Sequence, residues 1–158
     1  MKVLRLRFAI FCLAIFCFVC VPITKPIFQF DSDEKITYYF YTGVIQNDIK
    51  NAKIIQNGNA SIVACDVKFA DIVKSQLSYI YGESLRITNY KSQTLKDLLN
   101  KFLCYCIKTE EFDDYKSLLC YNLTLSNFVF VGEQKVNIQI VYNQTEINIG
   151  YPLILNGF

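Results

Sequence analysis

Four cysteines and one missing residue type bound the chemistry open to this chain. Cys65, Cys104, Cys106 and Cys120 lie in its polar part, and histidine is absent from all 158 residues. Without histidine there is no Ser-His-Asp triad, no Cys-His pair and no imidazole-ligated zinc, copper or iron. A catalyst built on this sequence has carboxylates, Lys, Tyr or Cys to work with. Thiolate zinc sites use two-residue spacers, whereas Cys104-Tyr105-Cys106 has one, so no metal is expected. A nucleophilic cysteine without His needs a nearby Lys or a helix N-terminus, and Leu103, Tyr105 and Ile107 supply neither. In an oxidising compartment the same four cysteines are candidates for disulfides. Cys104 and Cys106 share one face of a strand and point in parallel, so each would need Cys65 or Cys120 as partner. The preferred reading is that all four are buried, small apolar side chains.

The acidic group Glu110, Glu111, Asp113 and Asp114 could offer oxygens to Ca²⁺, but it lacks the glycine and alternating acids of an EF-hand loop. It reads as a solvated hairpin tip, and Asp31, Asp33 and Glu34 read as a solvated linker. There is no Gly-rich phosphate loop and no nucleophile elbow, and no cofactor is expected. Asn59-Ala60-Ser61, Asn122-Leu123-Thr124 and Asn143-Gln144-Thr145 match the glycosylation sequon, which matters only in a eukaryotic secretory pathway. The wealth of Ile, Asn, Lys and Tyr looks like an AT-rich coding bias and carries little functional weight; a bacterial source is expected over a eukaryotic one.

The strongest positive signal is at the start. Lys2, Arg5 and Arg7 precede a charge-free apolar run of 16 residues, Phe8 to Ile23. Phe8, Phe11, Leu13, Ile15, Phe16, Phe18 and Val19 are its bulk, and Cys12, Cys17 and Cys20 behave as small hydrophobes within it. As a helix it covers about 24 Å, against a hydrocarbon core of about 30 Å. Snorkelling by Arg5, Arg7 and Lys25 closes the difference. Three basic residues before the run and one after it keep the N-terminus in the cytoplasm and export the rest. The exit, Phe18-Val19-Cys20-Val21-Pro22-Ile23, lacks the small residues that signal peptidase requires. A retained N-terminal membrane helix is therefore expected over a cleaved signal, with residues 1–30 as anchor and linker and residues 31–158 as one extracytoplasmic domain.

Four of the 16 basic residues belong to the leader, which leaves 12 against 14 acidic ones, a formal −2 for the domain. No basic block remains to bind nucleic acid, and no such partner is expected.

Residue periodicity predicts the elements that must hold these groups. Ile36–Tyr41 is β-branched and aromatic, a strand. Lys53–Gln56 and Ala60–Cys65 flank Asn57-Gly58, a hairpin signal. Phe69, Ile72, Val73, Leu77 and Ile80 repeat at helical spacing, predicting a helix over 69–81 closed by Gly82. Ser84–Thr88 is a strand, and Ser92 caps a second helix that buries Leu95, Leu98, Leu99 and Phe102. A four- or five-stranded meander follows: 103–109, the acidic turn 110–114, then 115–121, 128–131, 136–142 and 147–150. Its polar side chains Asn137, Gln139 and Asn148 are expected to face water. Pro152 in the apolar tail argues for an edge strand. Tyr38, Tyr39, Phe40, Tyr41, Phe128 and Phe130 are expected mainly to pack. The fold class is α+β, with two helices packed on one mainly antiparallel sheet.

These observations predict a single-pass bacterial envelope protein. Its small non-catalytic binding or scaffold domain would meet the membrane through its N-terminal helix and have an envelope protein as partner. The alternative is a His-independent enzyme acting on an envelope polymer, which needs two carboxylates roughly 5–9 Å apart in a cleft. A third reading, a secreted eukaryotic protein, requires a cleaved leader and a glycan on one of the sequons.

Overall fold

The computed structural model describes residues 26–28, 35–102 and 104–155. The membrane-segment residues Arg5, Arg7, Phe8, Phe11, Leu13, Ile15, Phe16, Phe18 and Val19, and the acidic linker Asp31 to Glu34, lie outside them.

Alternating side chains build the sheet. In β1 (Lys35–Gly43), Ile36, Tyr38 and Phe40 are buried while Lys35, Thr37 and Tyr39 turn to the other face. β2 (Ala52–Asn57) and β3 (Ala60–Asp66) form the predicted hairpin. Its turn sits one residue later than expected: Asn57 pairs with Ala60, and Gly58 takes the positive φ of +59°. β4 (Gly82–Thr88), β5 (Tyr105–Phe112), β6 (Tyr115–Tyr121), β9 (Ile138–Tyr142) and β10 (Glu146–Tyr151) complete an eight-stranded sheet ordered β2-β3-β1-β4-β10-β9-β6-β5. Every neighbouring pair in this order is antiparallel. The hairpin β7 (Val129–Val131) and β8 (Gln134–Val136) forms a separate two-stranded sheet.

One face of the large sheet carries the core. Register aligns Ile36, Tyr38 and Phe40 with Val63 and Cys65 on one side and with Leu85 and Ile87 on the other. The same face continues through Ile147 and Ile149 to Ile140. Ala70 and Val73 of the short helix α1 (Ala70–Lys74) join this buried cluster, as do Leu98 and Phe102 of α2 (Ser92–Lys101) and its C-terminal boundary. Phe28 enters it too, 1% exposed, with its ring edge-on to Phe102 at 5.2 Å. Residues 26–28 therefore belong with the domain and not with the linker. Each such aromatic or aliphatic side chain contributes roughly 1.5–3 kcal/mol by leaving water.

Several expectations are corrected. The helix predicted over 69–81 is cut to a 3₁₀ turn (Val67–Phe69) and the five residues of α1. Beyond it the chain is drawn to the end of β1: Thr42 Oγ1 donates to the Tyr79 carbonyl, and Tyr81 N–H donates to the Tyr41 carbonyl at 2.8 Å. Backbone groups bonded to a strand cannot close helical turns. Gly82 begins β4 instead of ending a helix, and its lack of a side chain admits the Tyr151 carbonyl oxygen, which a Cβ would meet at 2.7 Å. The N-cap position of α2 is Lys91, not Ser92. The acidic turn shrinks to Asp113-Asp114, with Asp113 at φ +47°, and Glu110 and Glu111 join β5.

Asn137 and Asn148 do not face water; both are buried. Asn137 Oδ1 accepts from Asn122 N–H at 2.7 Å, while its Nδ2 donates to the carbonyls of Asn122 (2.7 Å) and Leu125 (3.2 Å). That clamp breaks the strand predicted over 136–142 into β8 and β9. Gln139 is half-buried and accepts the Ile154 N–H at 3.1 Å. β10 is an inner strand, between β4 and β9, so Pro152 does not mark an edge. It stands past the end of β10, after a cis Tyr151–Pro152 bond, where no ladder donor is needed. From there Leu153 and Ile154 turn back over Gly150.

That crossing predicts the effect of one methyl group. A Cβ on residue 150 would lie 2.4 Å from the backbone of Leu153 and Ile154. Gly150→Ala is expected to cost about 1–3 kcal/mol by forcing the tail off the sheet. Gly58→Ala, in open space, is expected to cost about 1–2 kcal/mol through its left-handed backbone alone. Urea denaturation of both variants checks this, and proteolysis of the 152–155 tail should accelerate only in Gly150→Ala.

Candidate functional site

The alternation of β4 puts Glu83 in step with Leu85 and Ile87, so its carboxylate points to the core face of the sheet. It is 2% exposed. A carboxylate that far from water needs charge and hydrogen-bond partners. Three elements bring them. The Tyr38 hydroxyl, from β1, donates to Glu83 Oε2. Ile27 N–H, from the segment 26–28, donates to the same oxygen at 3.0 Å. Lys74 Nζ, from the last residue of α1, pairs with Glu83 Oε1 at 2.6 Å and is itself nearly buried. Burial, reinforced by the neighbouring Glu83 charge, holds the Tyr38 hydroxyl well above its usual pKa of 10, so it remains a donor. Tyr38 in turn accepts the Phe28 N–H at 3.2 Å.

This cluster borders a cleft of about 630 Å³, within the size range of small-ligand sites. Ile27, Lys74, Glu83, Thr124, Ser126, Asn127 and Tyr151 are among its lining residues. Tyr79 and Tyr81 stand at its rim, 63% and 53% exposed, with rings 4.7 Å apart and nearly perpendicular. A second cleft of about 590 Å³ lies against the same two tyrosines and is lined by Gln46, Asn47, Asp48 and Gln76.

Neither Glu83 nor Lys74 stands out in the sequence. Glu83 precedes a short strand, and Lys74 falls on the polar side of a presumed helix. The available signal was the period-two pattern of Leu85 and Ile87, which extends backwards to Glu83.

The other buried carboxylate, Glu146, sits on the opposite face. Arg86 holds it, with Nε at 2.8 Å and a second guanidinium nitrogen on the same oxygen, and Tyr115 OH donates at 3.1 Å. The Glu146 carboxylate raises the Arg86 pKa further. The sheet thus separates Glu83 from Glu146, and these two do not make the facing pair a carboxylate hydrolase requires. Glu110 and Glu111 pair with Lys108 at 2.5 Å and Lys116 at 3.0 Å. Among the described residues no three His, Cys, Asp or Glu side chains gather as a metal site.

The cysteines divide. Cys106 and Cys120, directly opposite on β5 and β6, are disulfide-bonded. Cys106 is exposed, which corrects the reading of all four as buried apolar side chains. Cys65 and Cys104 are free thiols. Burial, with a smaller contribution from Asp66, pushes Cys65 up to about 12, and burial alone pushes Cys104 up to about 11. Of the sequon asparagines, Asn59 is exposed at a hairpin turn. Asn122 is buried with its amide on the Phe102 carbonyl, and Asn143 closes its own turn through Thr145 and Glu146 N–H. Tyr38 and Phe40 stack in the core, while Phe128 and Phe130 form an exposed edge-on pair.

Two outcomes follow from this geometry. Lys74→Met leaves the Glu83 carboxylate buried without a counter-charge and is expected to cost about 3–5 kcal/mol in chemical denaturation. Lys74→Met with Glu83→Gln should recover much of that, since Gln still accepts from Tyr38 and Ile27. The Cys65 thiol keeps its proton to about pH 12 when folded and loses it near 9 when unfolded. The unfolded state therefore releases protons first, so stability is intact below pH 9 and falls as pH rises above it. Cys65→Ala should flatten the slope of stability between pH 9 and 10.

Set against known proteins, the chain matches no family model, no curated protein and no solved structure.

Proposed function

We propose that this chain is a single-pass bacterial envelope protein, and that its α+β domain is a non-catalytic binding or scaffold module held against the outer side of the membrane. A membrane helix built on Phe8 to Val19, with Arg5 and Arg7 on its cytoplasmic flank, would carry the domain across. Among the described residues no helix is long and apolar enough to span a bilayer. The observation that carries the reading is independent of the leader: the Cys106–Cys120 disulfide, a bond favoured in oxidising compartments and rare in the cytosol.

The way the chain enters the domain supports the same reading. Pro26 and Phe28 are buried and Ile27 is hydrogen-bonded to Glu83. A leader ending at Ile23 would then be separated from packed structure by only Thr24 and Lys25. The domain would sit on the membrane surface with little slack, close to an envelope partner or polymer. The clefts around Tyr79 and Tyr81 are where it would bind.

Protease accessibility tests the arrangement. With a C-terminal epitope tag on the full chain, protease added to intact spheroplasts should remove the tag while the chain stays in the membrane fraction. A tag protected until lysis, or a full-length chain in the soluble fraction, overturns the proposal.

A further inference from the structure

We infer that the ridge formed by Tyr79 and Tyr81, with the clefts on either side, binds a neutral oligosaccharide. This deepens the proposed binding role by naming its ligand class, and it rests on that reading.

Three features of the surface select this ligand. First, Tyr79 and Tyr81 are more than half exposed although neighbouring backbone is fixed to β1. Their rings meet edge to face, so aromatic surface is presented to a ligand at the boundary of two clefts. Aromatic faces receive the apolar C–H side of a sugar ring, and the phenol hydroxyls meet its polar edge. Second, the walls carry hydroxyl and amide groups suited to sugar hydroxyls: Ser126 and Asn127 in one cleft, Gln46, Asn47 and Gln76 in the other, and Ser78 in both. Third, the charges in the larger cleft cancel. Of the described residues lining it, the charged ones are Lys74 and Glu83, bonded to each other at 2.6 Å. A floor with no net charge gives an anion or a cation little to hold, and the smaller cleft adds one exposed carboxylate, Asp48, which disfavours anions further.

Two clefts that share Tyr79 and Tyr81 offer room for several sugar units. Each is about 600 Å³ and open, a shape that suits a chain passing through and not a small molecule enclosed.

The test uses the full chain in lipid nanodiscs, free of glycoside detergent, titrated with cellotetraose and chitotetraose by calorimetry. Saturable binding of at least one is expected. Tyr79→Ala and Tyr81→Ala should each weaken it tenfold or more with an unchanged thermal midpoint, because both rings are exposed. Tyr79→Phe and Tyr81→Phe, which keep the ring, should lose threefold or less. Absence of saturable binding to both sugars overturns the inference, as does undiminished binding in both alanine variants. Preferred binding of inorganic phosphate, run in parallel, also overturns it. Failure here leaves the protease result standing, and a cytosolic domain in the protease test would refute the envelope reading whatever the sugars do.

Discussion

The burial of one carboxylate organises one end of this domain. Glu83 is ionisable, almost fully removed from water, and tolerable there only because Lys74, Tyr38 and Ile27 N–H converge on it. Those partners come from α1, which directly precedes β4, from β1 and from residues 26–28, the last two far from β4 in sequence. The requirement to satisfy one charge thereby fixes where α1 ends, how the chain enters the domain and which side chains wall the cleft. An apolar residue at position 83 could pack against the same core, but it would not specify which lysine or which backbone amide must arrive. The ion pair contributes uniqueness of arrangement more than net stability.

The rest of the sheet is governed by a different constraint. Strands that start far apart in sequence must meet in register: β4 pairs with β10 across the whole second half of the chain, and β1 pairs with both β3 and β4. A one-residue slip at any of these would turn Ile87, Ile147 or Tyr38 to the opposite face and bring Arg86, Asn148 or Tyr39 to the core face instead. Local devices hold the register at the far side, where the edge strand β5 is tied to β6 by the Cys106–Cys120 bond beside a bulge between Cys106 and Lys108. Asn122 and Asn137 perform a related service inside the core, joining the end of α2 to the start of β9 through hydrogen bonds that an apolar pair could not direct.

Much of the secondary structure was legible because its signals are local. The β-branched and aromatic run around Tyr38, the Asn57-Gly58 hairpin and the alternation of Ile147 and Ile149 all describe neighbours in the chain. The helix over 69–81 was misread for an instructive reason. Leu77 and Ile80 are half-buried as their spacing implied, but helical spacing records which side chains are apolar and not how their backbone is bonded. Thr42 and Tyr41 claim that backbone. Asn137 and Asn148 were misplaced because alternation says which residues share a face and is silent about what lies over it. On that second face the tail at Leu153 and Ile154 crosses the strand at Gly150.

By itself, the sequence determined the α+β class, the strands with clear alternation, the absence of imidazole chemistry and the basic-apolar order of the leader. Each depends on composition or on residues a few positions apart. The tertiary structure alone decided that Glu83 meets Lys74, that Cys106 meets Cys120, that β10 is an inner strand and that Tyr79 and Tyr81 stand between two clefts. Those contacts depend on how strands and loops pack in three dimensions, from the nine positions separating Lys74 and Glu83 to the pairing of β10 with β4, and no local pattern encodes that choice.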